Sequence, residues 1–341
     1  MKPFIKFVVL ALSVVLVACD SHSSFIPTAP TGVSEQITSP IPPTNAGEQT
    51  TLPTPPANAG GQQPVFQPPV TLYATGDISN CDAGHLNVLN GKFGHQYVAQ
   101  LLQTFHLDGI YRIFLALGDI AYFQGSSGQF SNCYDPWFSV FKPNTRPTPG
   151  NHEYETPNAA GYFSYFGSAA GPGYYSWDPP GDSWHIVSGN SNLSGGAKIA
   201  YLAWLENDLT INRRPCTVVY WHYPRFSSGI AGNMVSDVGD DFKVLYNHRV
   251  TLLLVGHDHD YEEFEPQDPD ERFDLHGVKE FVIGTGGAEL RPLVGRKPNS
   301  IVWNNSSWGV LVLTLGPRNY QWQFLSATGS FGSSGAGQCS E

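Results

Sequence analysis

Nowhere in the 341 residues do lysine and arginine gather into a cluster, and the formal net charge is −11. A chain that grips nucleic acid shows a basic face, so no nucleic-acid partner is expected. No internal repeat is present, which argues against a solenoid. Strong helix formers do not dominate, while glycine (36) and proline (27) are many; this disfavours an all-helical protein and leans toward a β-rich or α/β one with long loops. The apolar run Phe7 to Val17 is short for a bilayer span. None of the cysteines has metal-site spacing. What remains is 41% hydrophobic and rich in Trp, Tyr and Phe, enough for one large domain or two small ones with a sizeable core.

The first residues carry a processing signal. Lys2 and Lys6 precede the apolar run, and Leu16-Val17-Ala18-Cys19 has the form of a lipobox. Cleavage of a signal peptide, residues 1–18, would leave Cys19 lipidated and the protein anchored in a bacterial cell envelope, facing outside the cytoplasm. An ordinary signal peptide or a short membrane helix are the alternatives. Residues 19–69 are Pro, Thr, Ser, Ala and Gly with few large apolar side chains. They cannot bury enough surface to fold and read as an extended tether.

From Val70 onward, apolar strands repeatedly end in polar residues able to hold a metal. Val250 to Val255 runs into Gly256-His257-Asp258-His259, whose two histidines, one residue apart, can face one site. Leu72 to Thr75 delivers Asp77, and Phe114 to Leu117 delivers Asp119 and then Tyr122. Pro149-Gly150 leads into Asn151-His152-Glu153, and Val218 to Trp221 into His222. In open α/β sheets, ligand sites gather at the carboxyl ends of strands. Carboxylates, imidazoles, an amide oxygen and a phenol together suit two hard or borderline cations.

The remaining segments are coarser. Helical spacing marks Gly91 to Phe105 and Tyr201 to Leu209, and Asp241 to Tyr246 reads as a short helix. His95 and His106 are expected at the surface or in packing, and His185 in the core or behind a site. The aromatic stretch Tyr162 to Trp177 reads as satellite packing. Strands are expected at Lys279 to Thr285, Gly309 to Leu315 and Tyr320 to Leu325, and residues 326–341 as a loose Gly/Ser-rich tail. Cys81, Cys133, Cys216 and Cys339 allow three pairings. Outside the cytoplasm disulfides are expected, and loop placement leans to Cys81 with Cys133, and Cys216 with Cys339 to tie down the tail.

The ordered series Gly-Asp, Gly-Asp-x-x-Tyr, Gly-Asn-His-Glu, His and Gly-His-x-His resembles the calcineurin-like metallophosphoesterases, and within them most the purple acid phosphatases and their bacterial relatives. The resemblance spans roughly residues 70–325. It implies an α/β (α+β) fold, a four-layer sandwich of two packed mixed β-sheets flanked by helices. It implies two metal ions. Asp77, Tyr122 and His259 would hold the first, Asn151, His222 and His257 the second, and Asp119 would bridge them. It also implies phosphoester hydrolysis by in-line attack of a metal-activated hydroxide, with His152 protonating the leaving group. Glu153 would orient a ligand or serve only as a salt-bridge partner.

Ser79 stands where other branches place a histidine, and Tyr122 takes that vacancy. A phenolate favours Fe(III) in the first site, with Fe(II), Zn(II) or Mn(II) in the second. The sequence departs from the plant-type enzymes after the fourth motif, where Phe226 to Ser236 holds no histidine. Arg225 is the candidate phosphate clamp there, with a purely structural role the equal alternative. A phosphate monoester is the expected substrate. A phosphodiesterase or nucleotidase, and a non-catalytic envelope interaction protein, are the competing readings.

Overall fold

Runs such as Leu252-Leu253-Leu254-Val255 are fully buried, as strands covered on both faces must be. The computed structural model describes residues 68–340, apart from 83, 85 and 86. The expected signal peptide, Cys19 and nearly all of the tether lie outside the described residues. In chain order the strands are β1 Val70–Thr75, β2 Val88–Leu89, β3 Lys92–Phe93, β4 Arg112–Leu117, β5 Thr145–Thr148, β6 Tyr175–Trp177, β7 Trp184–Ser188, β8 Cys216–Tyr220, β9 Leu252–Val255, β10 Tyr261–Phe264, β11 Lys279–Ile283, β12 Ser300–Asn304, β13 Gly309–Leu315, β14 Asn319–Ser326 and β15 Gly332–Gln338. Beside the small β2–β3 hairpin they form two sheets, ordered β15-β14-β13-β1-β4-β5 and β12-β10-β11-β9-β8-β7-β6.

Both sheets are mixed. In the first, β1, β4 and β5 run parallel while β13, β14 and β15 return antiparallel. In the second, β11, β9, β8 and β7 are parallel, and β6, β10 and β12 pair antiparallel. Leu72, Leu115, Leu313 and Phe324 of the first sheet pack with Ile186, Val218, Leu254 and Phe281 of the second in one buried cluster. Helix Gly94–Gln103 covers the outer face of the first sheet, seating Val98, Ala99 and Leu102 with Tyr73, Phe114 and Ala116. Tyr162 and Phe166 fill the same layer, so the aromatic stretch packs as expected. Helices Gly195–Ile211 and Val235–Asn247 cover the second sheet with Tyr201, Leu205, Val238 and Phe242. The result is the expected four-layer sandwich. Among the described residues no helix is long and apolar enough to cross a membrane.

One segment departs from expectation. Residues 332–338, read as part of a loose tail, form β15, paired along its length with β14. The glycines responsible for that reading are needed for packing. A Cβ at Gly335 would lie 2.3 Å from the Trp322 ring, and one at Gly337 2.3 Å from the Tyr320 hydroxyl, so only glycine lets the edge strand pass beside these rings. Both disulfides form as favoured, Cys81 with Cys133 and Cys216 with Cys339.

Candidate metal centre

Strands β1, β4 and β9 each end in a glycine followed by a metal-ligand candidate. Asp77, Asp119 and His257 all sit at positive φ, 59°, 47° and 72°, a region L-residues rarely adopt and one that recurs at functional sites. Bonds between the turns hold them there. Asp77 Oδ2 accepts the His257 N–H at 2.8 Å, and Asp119 Oδ1 accepts the His152 N–H at 2.9 Å. Gly150 must lack a side chain, because its Cβ would fall 2.1 Å from Asp119 Oδ1.

The seven expected ligands converge in two groups. In one, the Tyr122 hydroxyl lies 2.9 Å from Asp77 Oδ1 and 3.0 Å from His259 Nε2. In the other, His222 Nε2 lies 3.1 Å from Asn151 Oδ1 and 3.3 Å from His257 Nδ1. Asp119 Oδ2 belongs to both, 3.3 Å from the Tyr122 hydroxyl and 3.1 Å from His222 Nε2. The imidazoles are set in orientation from behind. His222 Nδ1 donates to the Leu117 carbonyl at 2.8 Å, and His259 Nδ1 to the Glu289 carbonyl at 2.7 Å. Each therefore presents Nε2 to the centre, the usual arrangement for a metal-binding histidine. Buried carboxylate, phenol, amide and imidazole donors aimed at common points fit a pair of cations.

The electrostatics agree. Burial pushes the Asp77 carboxyl up, but the His259 and His222 imidazoles outweigh it and hold Asp77 below the usual range. Asp119 is likewise depressed, by His222 and His152 against its burial. Burial drives the His257 imidazole down to about 3, with His222 adding to the effect. Burial, then the Asp77 and Asp119 charges, hold the Tyr122 phenol well above its ordinary value. A cation there would have to displace that proton.

His152 stands at the rim, partly exposed. Its Nδ1 donates to the Phe123 carbonyl at 2.5 Å and its Nε2 lies 3.7 Å from Asp119 Oδ2. Among the described residues Glu153 forms no salt bridge. Its carboxylate accepts the N–H groups of Asp119, Ile120 and Gly150 at 2.9, 2.8 and 2.7 Å, joining the turn after β4 to the turn after β5. Burial and the nearby Asp119 push it up to about 7, against the pull of those N–H donors.

Arg225 does not take the position expected of a phosphate clamp. Its guanidinium lies 4.3 Å from the Phe226 ring centroid and donates to the Pro269 carbonyl at 2.5 Å, buried in the second sheet's outer layer. His95 is buried rather than superficial, stacked on Phe93, and burial lowers it to about 4. His185 joins Asp178 and Asp208 at 2.7 and 2.8 Å and takes no part in the centre.

Three neighbours went unread in the sequence. Tyr223 places its ring 4.6 Å from that of His257. Arg291, whose charge is felt at Tyr122, donates its N–H to the His259 carbonyl and pairs with Glu289 at 3.3 Å. The turn Gly284-Thr285-Gly286-Gly287 closes on Asp77: Gly286 N–H donates to the Gly76 carbonyl and Ala288 N–H to that of Asp77. Three glycines in four residues after a strand were the available signal.

Two mixed sheets with donors for two cations sharing one carboxylate are the arrangement of a dinuclear metal site. The chain belongs to the calcineurin-like phosphoesterases, whose family profile matches residues 70–261. Among solved structures it resembles a purple acid phosphatase from yellow lupin (Lupinus luteus), at 16% identity and a TM-score of 0.60 over 79% of this chain and 54% of that one. It thus spans about half of the lupin protein. It also resembles GAP50, the anchor in the inner membrane complex of Plasmodium, at 15% identity and a TM-score of 0.59 over 76% and 85%. A dimetal phosphatase from Danio rerio matches at 14% identity and a TM-score of 0.52 over 80% and 100%. At these identities the likeness is one of fold. No curated protein matches the chain.

Proposed function

We propose that this chain hydrolyses phosphate monoesters outside the cytoplasm, anchored by a lipid on Cys19, with Fe(III) held by Asp77, Tyr122 and His259 and Fe(II), Zn(II) or Mn(II) held by Asn151, His222 and His257. The observation that carries the catalytic part is Asp119 Oδ2, within 3.3 Å of a donor from each group. A pair of such cations, when bound, would activate water and neutralise phosphate charge for in-line displacement. The protein's own residues do the rest. Asp119 fixes the spacing of the two groups. The carbonyls of Leu117 and Glu289 keep the His222 and His259 rings turned inward. Glu153 holds the turns after β4 and β5 in register. Asn151, His152 and His257 are the partly exposed members of the centre, so substrate enters over them. His152, with Nδ1 engaged by Phe123, has Nε2 available to pass a proton to the departing alkoxide.

The location rests on the Leu16-Val17-Ala18-Cys19 sequence and is supported by the two disulfides, which form in oxidising compartments. The iron assignment rests on the Tyr122 hydroxyl facing Asp77 and His259. The deciding experiment is metal analysis of the purified chain alongside turnover of p-nitrophenyl phosphate and its bis ester. Two metals and faster monoester hydrolysis are expected. Faster diester hydrolysis would replace the substrate assignment. Metal-free, inactive protein would leave only a scaffold, the role that an anchor of this fold exemplifies.

A further inference from the structure

One buried histidine lies at the other end of the second sheet from the metal centre. His185 stands near the start of β7, and the register pairs it with Thr217 near the start of β8. His222 follows the far end of that same strand. His185 is 6% exposed, and both of its ring nitrogens face carboxylates. Nδ1 lies 2.7 Å from Asp178 Oδ1, in the segment joining β6 to β7. Nε2 lies 2.8 Å from Asp208 Oδ2, near the end of helix Gly195–Ile211.

A neutral imidazole has one N–H, and an ionised carboxylate only accepts. Two contacts at hydrogen-bond distance therefore need the imidazolium, or else a proton on one carboxyl. Imidazole is intrinsically the stronger base, by roughly 2.6 pKa units. The other oxygens of both acids already accept: Asp178 Oδ2 faces the Arg214 guanidinium at 3.1 Å, and Asp208 Oδ1 takes the Ser176 hydroxyl at 2.7 Å. The proton thus lies on the ring. The remaining charges around it are Asp182, 3.9 Å from Arg214, and Arg213, which lines the same cleft. Burial alone would strip the ring of its proton, but the bonds to Asp208 and Asp178 outweigh it and hold His185 above its ordinary value.

We propose that His185 is a pH-sensitive clamp: protonated, it ties the segment 178–183 and the end of helix Gly195–Ile211 to β7, and on losing its proton it releases one of the two carboxylates. The strand that loosens is β6, the edge of the second sheet. Asp178 directly follows β6, and Ser176 within it bonds to Asp208, so both carboxylates of the clamp also hold this edge. The direction follows from linkage. A group raised on folding contributes stability that is complete below its unfolded value of about 6.5 and is lost as pH rises through the higher folded value. The clamp is closed at mildly acidic pH and opens toward alkaline pH.

The test reads protonation and exchange rather than turnover, so it stands apart from the phosphoesterase proposal. In the full chain the His185 ring is titrated by nitrogen NMR, its signals assigned by their loss in His185→Asn. Both ring nitrogens should carry protons at neutral pH, with a midpoint above the ordinary value of about 6.5. Asp208→Asn keeps the shape and removes one charge, and should lower that midpoint by about 1 unit or more. Amide exchange in β6, corrected for its intrinsic pH dependence, should quicken as pH rises through the midpoint. Each unit by which folding raises the midpoint allows about a tenfold increase in opening, and the increase should be absent in His185→Asn. A single ring N–H at neutral pH would place the proton on a carboxyl and overturn the proposal. So would an unmoved midpoint in folded Asp208→Asn, or β6 exchange in the wild-type chain that ignores the titration.

Discussion

The two halves of the centre are built from unlike donors. One offers a carboxylate, a phenol and a single imidazole from Asp77, Tyr122 and His259. The other offers an amide oxygen and two imidazoles from Asn151, His222 and His257. Apart from the shared Asp119, the first half can carry negative charge on two ligands and the second on none. Anionic oxygen donors suit a small, highly charged ion, while neutral donors suit a divalent ion that exchanges more readily. Solvent access differs in the same sense. Asp77, Tyr122 and His259 are buried, whereas Asn151 and His257 are partly open. On the proposed reading, the first half would retain its cation, and the second, being partly open, would admit both metal and substrate.

The change that should erase the distinction has the largest effect. Asp119→Asn removes the charge both halves share, and turnover should fall by more than the roughly 10²–10⁴-fold a single acid contributes. Metal analysis should show both ions depleted; loss of only one would show that Asp119 does not bridge. Next is His152→Ala, which touches neither half's ligand set. Metal content should stay at two, with losses of about 10²–10⁴-fold concentrated on alkyl esters whose leaving group needs a proton. Equal losses for alkyl and nitrophenyl esters would remove His152 from the acid role.

A paired substitution tests the halves against each other. Tyr122→Phe keeps the ring and removes the oxygen, so iron retention should weaken by at least about 10–100-fold, the range for losing even a supporting contact. The violet phenolate-to-iron absorption should bleach, while Asn151→Ala should keep the colour and lose the exchangeable metal. An active, iron-loaded protein with no such band would make Tyr122 a packing residue. The smallest effect is expected at Arg291, beside His259 and facing Tyr122. Losing one charge-assisted contact of about 1.5 kcal/mol should raise KM for a monoester roughly tenfold in Arg291→Ala and less for a diester. An equal change for both substrates would deny it a role in reading phosphate charge.

The convergence of these donors was legible because each strand end spells its donor within a few residues: at four of the five a glycine frees the turn and the donor follows, and at the fifth His222 comes directly after Trp221. Each such phrase is local, and the fold only has to bring the phrases together. The Glu153 contacts and the inward turn of His222 and His259 were not legible in detail, since they run through carbonyls and N–H groups that no side chain advertises. Arg225 misled because closeness in sequence to His222 says nothing about direction; the side chain turns away onto Phe226. Strand β10 was missed for a related reason. Tyr261-Glu262-Glu263-Phe264 reads as half charged, yet both glutamates are buried, one against Ser228 and the other against Tyr261 and Ser333. Strand β15 was hidden by composition, its glycines serving ring packing rather than looseness.

The bond between Cys216 and Cys339 has a mechanical consequence. Cys216 opens β8, a central strand of the second sheet, while Cys339 follows β15, the edge strand of the first. An edge strand pulled from its free end normally unzips one rung at a time, each rung bearing the whole load in turn. Here a tug on the last residues passes first through sulfur into β8, where flanking strands share the load in shear. The weakest seam of the sandwich is thereby shielded by its best-supported layer.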